Sequence, residues 1–551
     1  MSTNEAAPLQ GEPGYRRMNN DFWYKNAVFY EVAVRAFKDS NGDGRGDLRG
    51  IAEKIDYLQT LGVDCVWIMP IYPSPLKDDG YDIADYYGVD RAYGSLDDLK
   101  ELIEAAHSHG IRIIMDLVLN HTSDEHPWFQ AARSDRSSPY REYYVWSDTD
   151  QKYKEARIVF VDTESSNWTW DEKAGQYYWH RFYSSQPDLN FDNPKVQQEM
   201  LNVARFWLDI GIDGFRADAA PYLFEREGTV CENLPETHAY LKRLRSFLRD
   251  QYPGRILLCE ANQWPEDVRP YFGDGDEFHM AFHFPLMPRI FMALRRGEVG
   301  PIRWVMQQTP PVPPDCQWCT FLRNHDELTL EMVTEEERQW MWKEYAPDPR
   351  MRLNLGIRRR LAPLLGNDRR RIELAKSLLF TLPGAPIIYY GDEIGMGDNL
   401  DLFDRNGVRT PMQWDSSLNA GFTTGSPATE LVRGDLAFPK VNVAAQLSDP
   451  HSLFHTVQKM IALRKGHPAF GGSSMEWVEV GNPTVAAYRR QSGDDVVLVL
   501  SNLSHDVQSV VVPPSYRKDC TDLLSSSAVS LGAELELKPY AYLWLQLPNA
   551  E

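Results

Sequence analysis

Eight short β-branched or apolar runs recur along the 551-residue chain with helical segments between them, and this alternation restricts the fold more than any other feature. They are AVFYEVAV from Ala27, VDCVWIMP from Val63, IRIIMDLVLNH from Ile111, IDGFRAD from Ile212, RILLCEAN from Arg255, FHMAFHF from Phe278, WCTFLRNHD from Trp318 and APIIYYGDE from Ala385. Connecting segments such as LDDLKELIEAAHSHG and KVQQEMLNVARFWLDIG carry apolar residues at helical spacing and end in glycine, the usual C-terminal stop. Eight strands alternating with helices predict an α/β fold, a (β/α)8 TIM barrel, whose reactive groups sit at the C-terminal ends of the strands.

The barrel is expected in two parts, 22–121 and 188–470. The segment 122–187 between the third and fourth runs is too long for a barrel loop. Its aromatic and polar text (YREYYVW, NWTW, QYYWHRFY) predicts an inserted, loop-rich lid domain over a sugar site. A second excursion, 327–368, carries Arg350, Arg352, Arg358, Arg359 and Arg360, read as a salt-bridged helical surface. From 471 to 551 the pattern changes to alternating runs with turn signals, which predicts a C-terminal antiparallel β domain.

Charge removes several function classes. Lys and Arg number 58 against 79 Asp and Glu, a net charge of −21 whose field repels phosphate backbones and anionic lipid. Nucleic acid and membrane are therefore not expected partners. The first 25 residues contain no apolar leader core, and the longest uncharged stretch, Ser377 to Gly391, is broken by Pro383, Gly384 and Pro386 and is too short to span a bilayer. A cytoplasmic enzyme is expected. Six scattered cysteines suggest reduced thiols without a disulfide framework. Cys316 and Cys319 form a CxxC, but on a strand residues three apart face opposite ways, which disfavours a metal or redox role.

Runs four, five and seven each end in an acid: Asp218 in GFRADAA, Glu260 in LLCEANQW and Asp326 in FLRNHDE. Singly, each is an ordinary polar strand terminus. Together, beside Arg216 and His325, they place three carboxyls on one rim of the barrel. A carboxylate pair is what retaining glycosyl transfer needs, one ionised group to attack the anomeric carbon and one protonated group to help the leaving oxygen depart. Arg216, two residues before Asp218 on the same strand face, is expected to keep that Asp ionised, while burial and acidic neighbours raise Glu260.

DLVLNH (Asp116 to His121), GFRAD, the Glu260 strand and RNHD resemble the ordered sequence regions of the α-amylase family of glycoside hydrolases. QPDLN (Gln186 to Asn190) resembles the branch that holds oligo-1,6-glucosidases, sucrose isomerases and trehalose synthases. Within it, ANQWPEDVRPYFGDGDEFHMAFHFPLMPRIF, EGTVCENLPETH and NHDELTLEMVTEEER are more similar to the maltose α-D-glucosyltransferases than to the hydrolases. The resemblance implies Asp218 as nucleophile, Glu260 as general acid/base and Asp326 as the residue gripping the distorted sugar. It also implies that Asp78, Tyr81, His121, Phe182, Gln186, Arg216, His325 and Arg409 hold the nonreducing glucose. Maltose and trehalose are the small-molecule partners it implies, interconverted by intramolecular glucosyl transfer with minor hydrolysis to glucose. Oligomeric state stays open, a homo-oligomer included, as does association with a separate maltokinase.

Two structural cation sites are expected. Asp39, Asn41, Asp43, Arg45 and Asp47 supply oxygen donors at every second position with Gly44 at the turn, as a calcium loop requires. Gly50 stands where an EF-hand has Glu, so calcium or magnesium competes here with a solvated turn. By resemblance only, a second calcium would lie between lid and barrel on Asn120, Asp188, Tyr222, Leu223 and Glu225, the middle pair through backbone oxygens. No organic cofactor is expected. An α-glucosidase with the same residues and an open lid is the first alternative, and a noncatalytic glycan-binding or transporter-associated barrel the second.

Overall fold

A computed structural model describes residues 22–472 and 474–548. The opening residues of the chain, on which the expectation of no leader rests, lie outside the described residues, as do 473 and 549–551 of the C-terminal domain. Each of the eight runs forms a barrel strand: β1 Phe29–Val32, β2 Cys65–Ile68, β3 Arg112–Val118, β4 Gly214–Asp218, β5 Ile256–Cys259, β6 Met280–Phe282, β7 Gln317–Phe321 and β8 Ala385–Tyr389. All neighbours are parallel, and β1 closes the barrel by pairing with both β2 and β8. Parallel strands need crossovers, and the helices supply them. The helix Leu96–Ser108 starts on a Ser95–Asp98 capping box and buries Leu99, Leu102, Ile103 and Ala106 along one stripe. The helix Pro194–Ile210 starts on Asn193 and stops at Gly211, whose φ of 120° suits glycine.

Strand register sets the working rim. Val118 pairs with Asp218, and Ala217 pairs with Cys259, so Asp218 and Glu260 leave adjacent strands at nearly the same height. The chain between β3 and the helix at 194 leaves the barrel and returns through bridges His121 to Asp188 and Tyr144 to Leu189. It carries a three-stranded antiparallel sheet, Trp146–Ser147, Gln176–Trp179 and Trp168–Asp171, packed around Trp168 and Trp179. The C-terminal region is a six-stranded sheet with a separate two-stranded ribbon, Gln508–Val511 with Glu534–Leu537. Trp544 Nε1 donates to Ser377 Oγ at 2.8 Å, which ties that sheet to a barrel helix.

The arginine-rich excursion departs from the expected helical surface. Its longest helix is Glu335–Tyr345, and the five arginines follow it: Arg350 on the single 3-10 turn Pro349–Met351, paired with Asp348 at 2.8 Å, Arg352 on a two-residue strand, and Arg358, Arg359 and Arg360 on irregular chain before the short helix Leu361–Leu364. Arg358 donates to the carbonyls of Leu400, Leu402 and Asp404, Arg359 pairs with Asp398 at 2.8 Å, and Arg360 is fully buried against the carbonyls of Val408 and Tyr390. They fasten one loop to another because guanidinium forks match clustered carbonyls as well as they match carboxylates. All six cysteines are buried and free. Among the described residues no helix is long and apolar enough to cross a membrane.

Candidate active site

At the C-terminal rim, Asp78, Tyr81, His121, Phe182, Asp218, Glu260, His325 and Asp326 line one cavity of about 870 Å³ counted with its open mouth. Arg216 lies beneath it, 1% exposed. Its Nη1 donates to Asp218 Oδ1 and to Asp116 Oδ1, both at 2.5 Å, and its Nη2 bonds Glu260. The guanidinium is therefore shared by three carboxylates, where the sequence reading gave it to Asp218 alone.

Burial pushes the Asp218 carboxyl up to about 6 against the pull of Arg216, and pushes Glu260 up to about 8, with Arg216 opposing and Asp218 and Asp326 adding to the rise. Near neutrality one carboxyl is ionised and the other carries the proton. Both side chains bond the same guanidinium, Asp218 through Nη1 and Glu260 through Nη2. Two carboxyls held by one guanidinium on adjacent strands fit the closer spacing of a retaining pair.

The remaining residues form a wall around one sugar-sized space. Arg409 donates to Asp326 Oδ1 at 3.1 Å and to Asp79 Oδ2 at 2.7 Å, so it braces Asp326 from behind. Gln186 donates to Asp78 Oδ2 at 2.9 Å, which fixes the face of Asp78 turned to the cavity. His121 packs 5.2 Å from the Phe182 ring, and burial lowers its imidazole to about 3, so it is neutral. Tyr81 stacks on His325 with ring centroids 5.4 Å apart. Gln186, Arg216 and Arg409 thus act from behind the lining, and the other expected glucose-site residues face the cavity.

Several site residues were not singled out from the sequence. Asp116 is buried under Arg216 and accepts from Trp67 Nε1 at 2.7 Å. Arg405 reaches Asp326 at 3.0 Å and Glu327 at 2.7 Å, with the Phe160 ring 5.1 Å from its guanidinium. The signal for Arg405 was its place four residues before Arg409. Arg157, from the lid, donates to Glu232 at 2.9 Å, to Glu331 at 2.8 Å and to the Tyr222 hydroxyl at 3.1 Å. Glu331 belongs to the excursion after β7 and lines the cavity, so this one side chain joins lid, barrel loop and excursion across the mouth.

The two expected cation sites differ. Asp188 Oδ2 and Glu225 Oε1 are buried and have no hydrogen-bond partner, and burial raises both carboxyls, with Asp188 adding to the rise of Glu225. Two orphaned buried oxygens side by side form a donor set suited to a hard cation. In the first loop Asp39 already accepts from the backbone of Asn41, Gly42 and Gly44 and from Thr423 Oγ1, and Asp47 accepts from Ser40 and Gly50. Asn41 and Asp43 accept from the backbone two residues on. This loop is a self-capped turn pressed on 423–428, where a Cβ at Gly44 would lie 2.0 Å from the Ser426 carbonyl oxygen. Among the described residues no three His, Cys, Asp or Glu side chains converge as a metal cage.

The closed barrel, the rim carboxylates and the C-terminal sheet together define a glycoside-processing enzyme, and the chain belongs to the α-amylase family. The model of the alpha amylase catalytic domain matches 32–347 and 357–472, and that of the maltogenic amylase C-terminal domain matches 475–544. The chain is 59% identical over 499 residues to the trehalose synthase/amylase TreS of Mycobacterium tuberculosis, covering 89% of this chain and 83% of that protein. It is 56% identical over 527 residues to the trehalose synthase of Pimelobacter sp., covering 93% and 91%. Among solved structures, the trehalulose synthase MutB of Pseudomonas mesoacidophila MX-45 superposes with a TM-score of 0.79 at 28% identity, over 95% of this chain and 99% of that one.

Proposed function

We propose that this enzyme interconverts maltose and trehalose by retaining, intramolecular glucosyl transfer. The observation that carries the reading is a pair of carboxyls, Asp218 and Glu260, that share Arg216 at the floor of a cavity whose mouth Arg157 spans. Relatives named trehalose synthase, at 56–59% identity, support the same choice. Asp218 attacks the anomeric carbon of the nonreducing glucose while Glu260 donates its proton to the departing glycosidic oxygen. Asp326, braced by Arg409 and Arg405, holds the sugar hydroxyls in the distorted ring. The freed glucose stays beneath the lid, turns, and presents its anomeric hydroxyl. Glu260, now ionised, takes that proton as the hydroxyl oxygen attacks the anomeric carbon on the face opposite Asp218, the face the first oxygen left, and the ester bond to Asp218 breaks.

Water and glucose compete for one covalent intermediate, so exclusion of water decides between isomerase and hydrolase. Phe160 and Phe182 from the lid, with rings 5.6 Å apart, wall the cavity on that side. Incubation with maltose tests the proposal: trehalose as the major product supports it, glucose alone assigns the α-glucosidase activity, and no turnover leaves a binding scaffold.

A structural cation of the calcium class is part of this proposal, held by Asn120, Asp188, Glu225 and the carbonyls of Tyr222 and Leu223. It would offset two buried carboxylates where the lid rejoins the barrel. The Asp39 to Asp47 loop is proposed as a second calcium or magnesium site, on its donor pattern alone. Cytoplasmic residence, a homo-oligomer and a maltokinase partner stand as further proposals, read by fractionation, light scattering and co-purification.

A further inference from the structure

Glu31 lies in the middle of β1, is fully buried, and takes no part in the mechanism above. Among the described residues its carboxyl has a single hydrogen-bonded partner, His325: Oε1 sits 2.5 Å from Nδ1 and 3.3 Å from the backbone nitrogen, while Oε2 has no partner. On the far side of the ring, Nε2 lies 3.1 Å from the Tyr81 hydroxyl and 3.2 Å from Asp326 Oδ2. His325 is thus held between two carboxyls, one behind it and one in the active site.

Counting protons fixes what this arrangement requires. A bare ring nitrogen beside a carboxylate oxygen opposes two electron pairs, so contact with Glu31 calls for a hydrogen between Oε1 and Nδ1, and contact with Asp326 calls for one on Nε2. A neutral imidazole has only one. The second must reside in the Glu31 bond, on whichever of its two atoms, and in both placements Nε2 keeps its hydrogen. The Tyr81 hydroxyl agrees with this count, since its own hydrogen is directed to Asp116 Oδ1 at 3.3 Å, leaving its oxygen free to accept from Nε2.

We infer that Glu31 is a positioning residue that stores one proton behind His325 and so keeps Nε2 a permanent hydrogen-bond donor to Asp326, Tyr81 and the bound sugar. The groups facing the pair are consistent with a proton held there. Asp326, Asp116 and Asp79 are the acids, Arg216, Arg405 and Arg409 the cations, and Tyr81 and Tyr389 the phenols. Among the described residues no cation bonds Glu31 directly, so its charge has no local partner there other than His325. This role rests on the proposed sugar site but not on which disaccharide fills it.

The test is nitrogen NMR of the resting enzyme labelled at histidine, with His325→Gln used to identify the resonances. Nε2 of His325 should be protonated throughout the neutral range in the wild type, and absence of that proton would overturn the inference without any variant. In Glu31→Gln the side chain must still accept from the His325 backbone, which turns its carbonyl to Nδ1, so the single hydrogen should move to Nδ1 and leave Nε2 bare. The value of kcat/KM for both maltose and an aryl α-glucoside should fall about 10- to 100-fold, the worth of a hydrogen bond to a charged group. In the His325→Gln background the same substitution should cost nothing more, and Glu31→Asp should restore the Nε2 proton. Additive losses, or an unmoved tautomer in Glu31→Gln, would refute the role. Failure to make trehalose while the aryl glucoside is cleaved would sink the functional proposal and leave this one standing.

Discussion

Replacing Arg157 with Met tests whether the lid controls the fate of the glucosyl enzyme. The side chain keeps its apolar length but loses bonds to Glu232, Glu331 and Tyr222. Arg157 is 37% exposed, which discounts each pair toward the surface range of about 0.2–1 kcal/mol, whereas hydrogen bonds to well-buried charged groups reach about 1.5–3 kcal/mol. Three partly buried contacts sum to about 2 kcal/mol of closure. Glu232 keeps Arg181, so the loss falls mainly on the Glu331 bridge. At about 1.4 kcal/mol per tenfold, the open fraction should rise about 30-fold. The glucose-to-trehalose ratio from maltose should rise by up to that factor, while maltose consumption changes by less than about threefold because no group touching the sugar is removed. Product chromatography over an initial-rate time course reads both. A proportional fall in glucose and trehalose, with the ratio unmoved, would show that the bridge does not gate water.

Asp218→Ala and Glu260→Gln should each abolish turnover with the thermal midpoint nearly unchanged, since they delete the covalent and acid/base steps. A tenth of wild-type activity in purified Asp218→Ala would be incompatible with its role. The pH profile should be bell-shaped. kcat/KM rises as Asp218 loses its proton near pH 6 and falls as Glu260 loses its own near pH 8, and a profile flat across that window would contradict the assigned roles. Removing divalent cations should lower the thermal midpoint by roughly a few degrees, because Asp188 and Glu225 are left facing each other. An unchanged midpoint, with no bound metal by elemental analysis, would reassign both cation sites.

The barrel was legible because strand periodicity, glycine stops and helical stripes agree over most of the chain. Asp218, Glu260 and Asp326 were legible because the first ends a barrel strand, the second follows one directly and the third lies in the loop just beyond another. Long-range partnership was not. Arg216 serves Asp116 and Glu260 as well as Asp218, and that sharing depends on the strand register, which sequence spacing does not reveal. Glu31 carried a signal of its own, a single acid inside the apolar run AVFYEVAV, yet its partner is 294 residues away. The arginines after 350 were misread because charge clustering suggests a solvated helix face, and only the folded loops show carbonyls gathered to receive them.

Maltose incubated with isotopically labelled free glucose tests the retained-glucose mechanism most directly. Intramolecular transfer predicts trehalose that carries almost no label, even when labelled glucose exceeds the glucose released by hydrolysis. Trehalose labelled in proportion to the free pool would mean that the leaving sugar exchanges with solvent, and the closed-lid mechanism would be wrong.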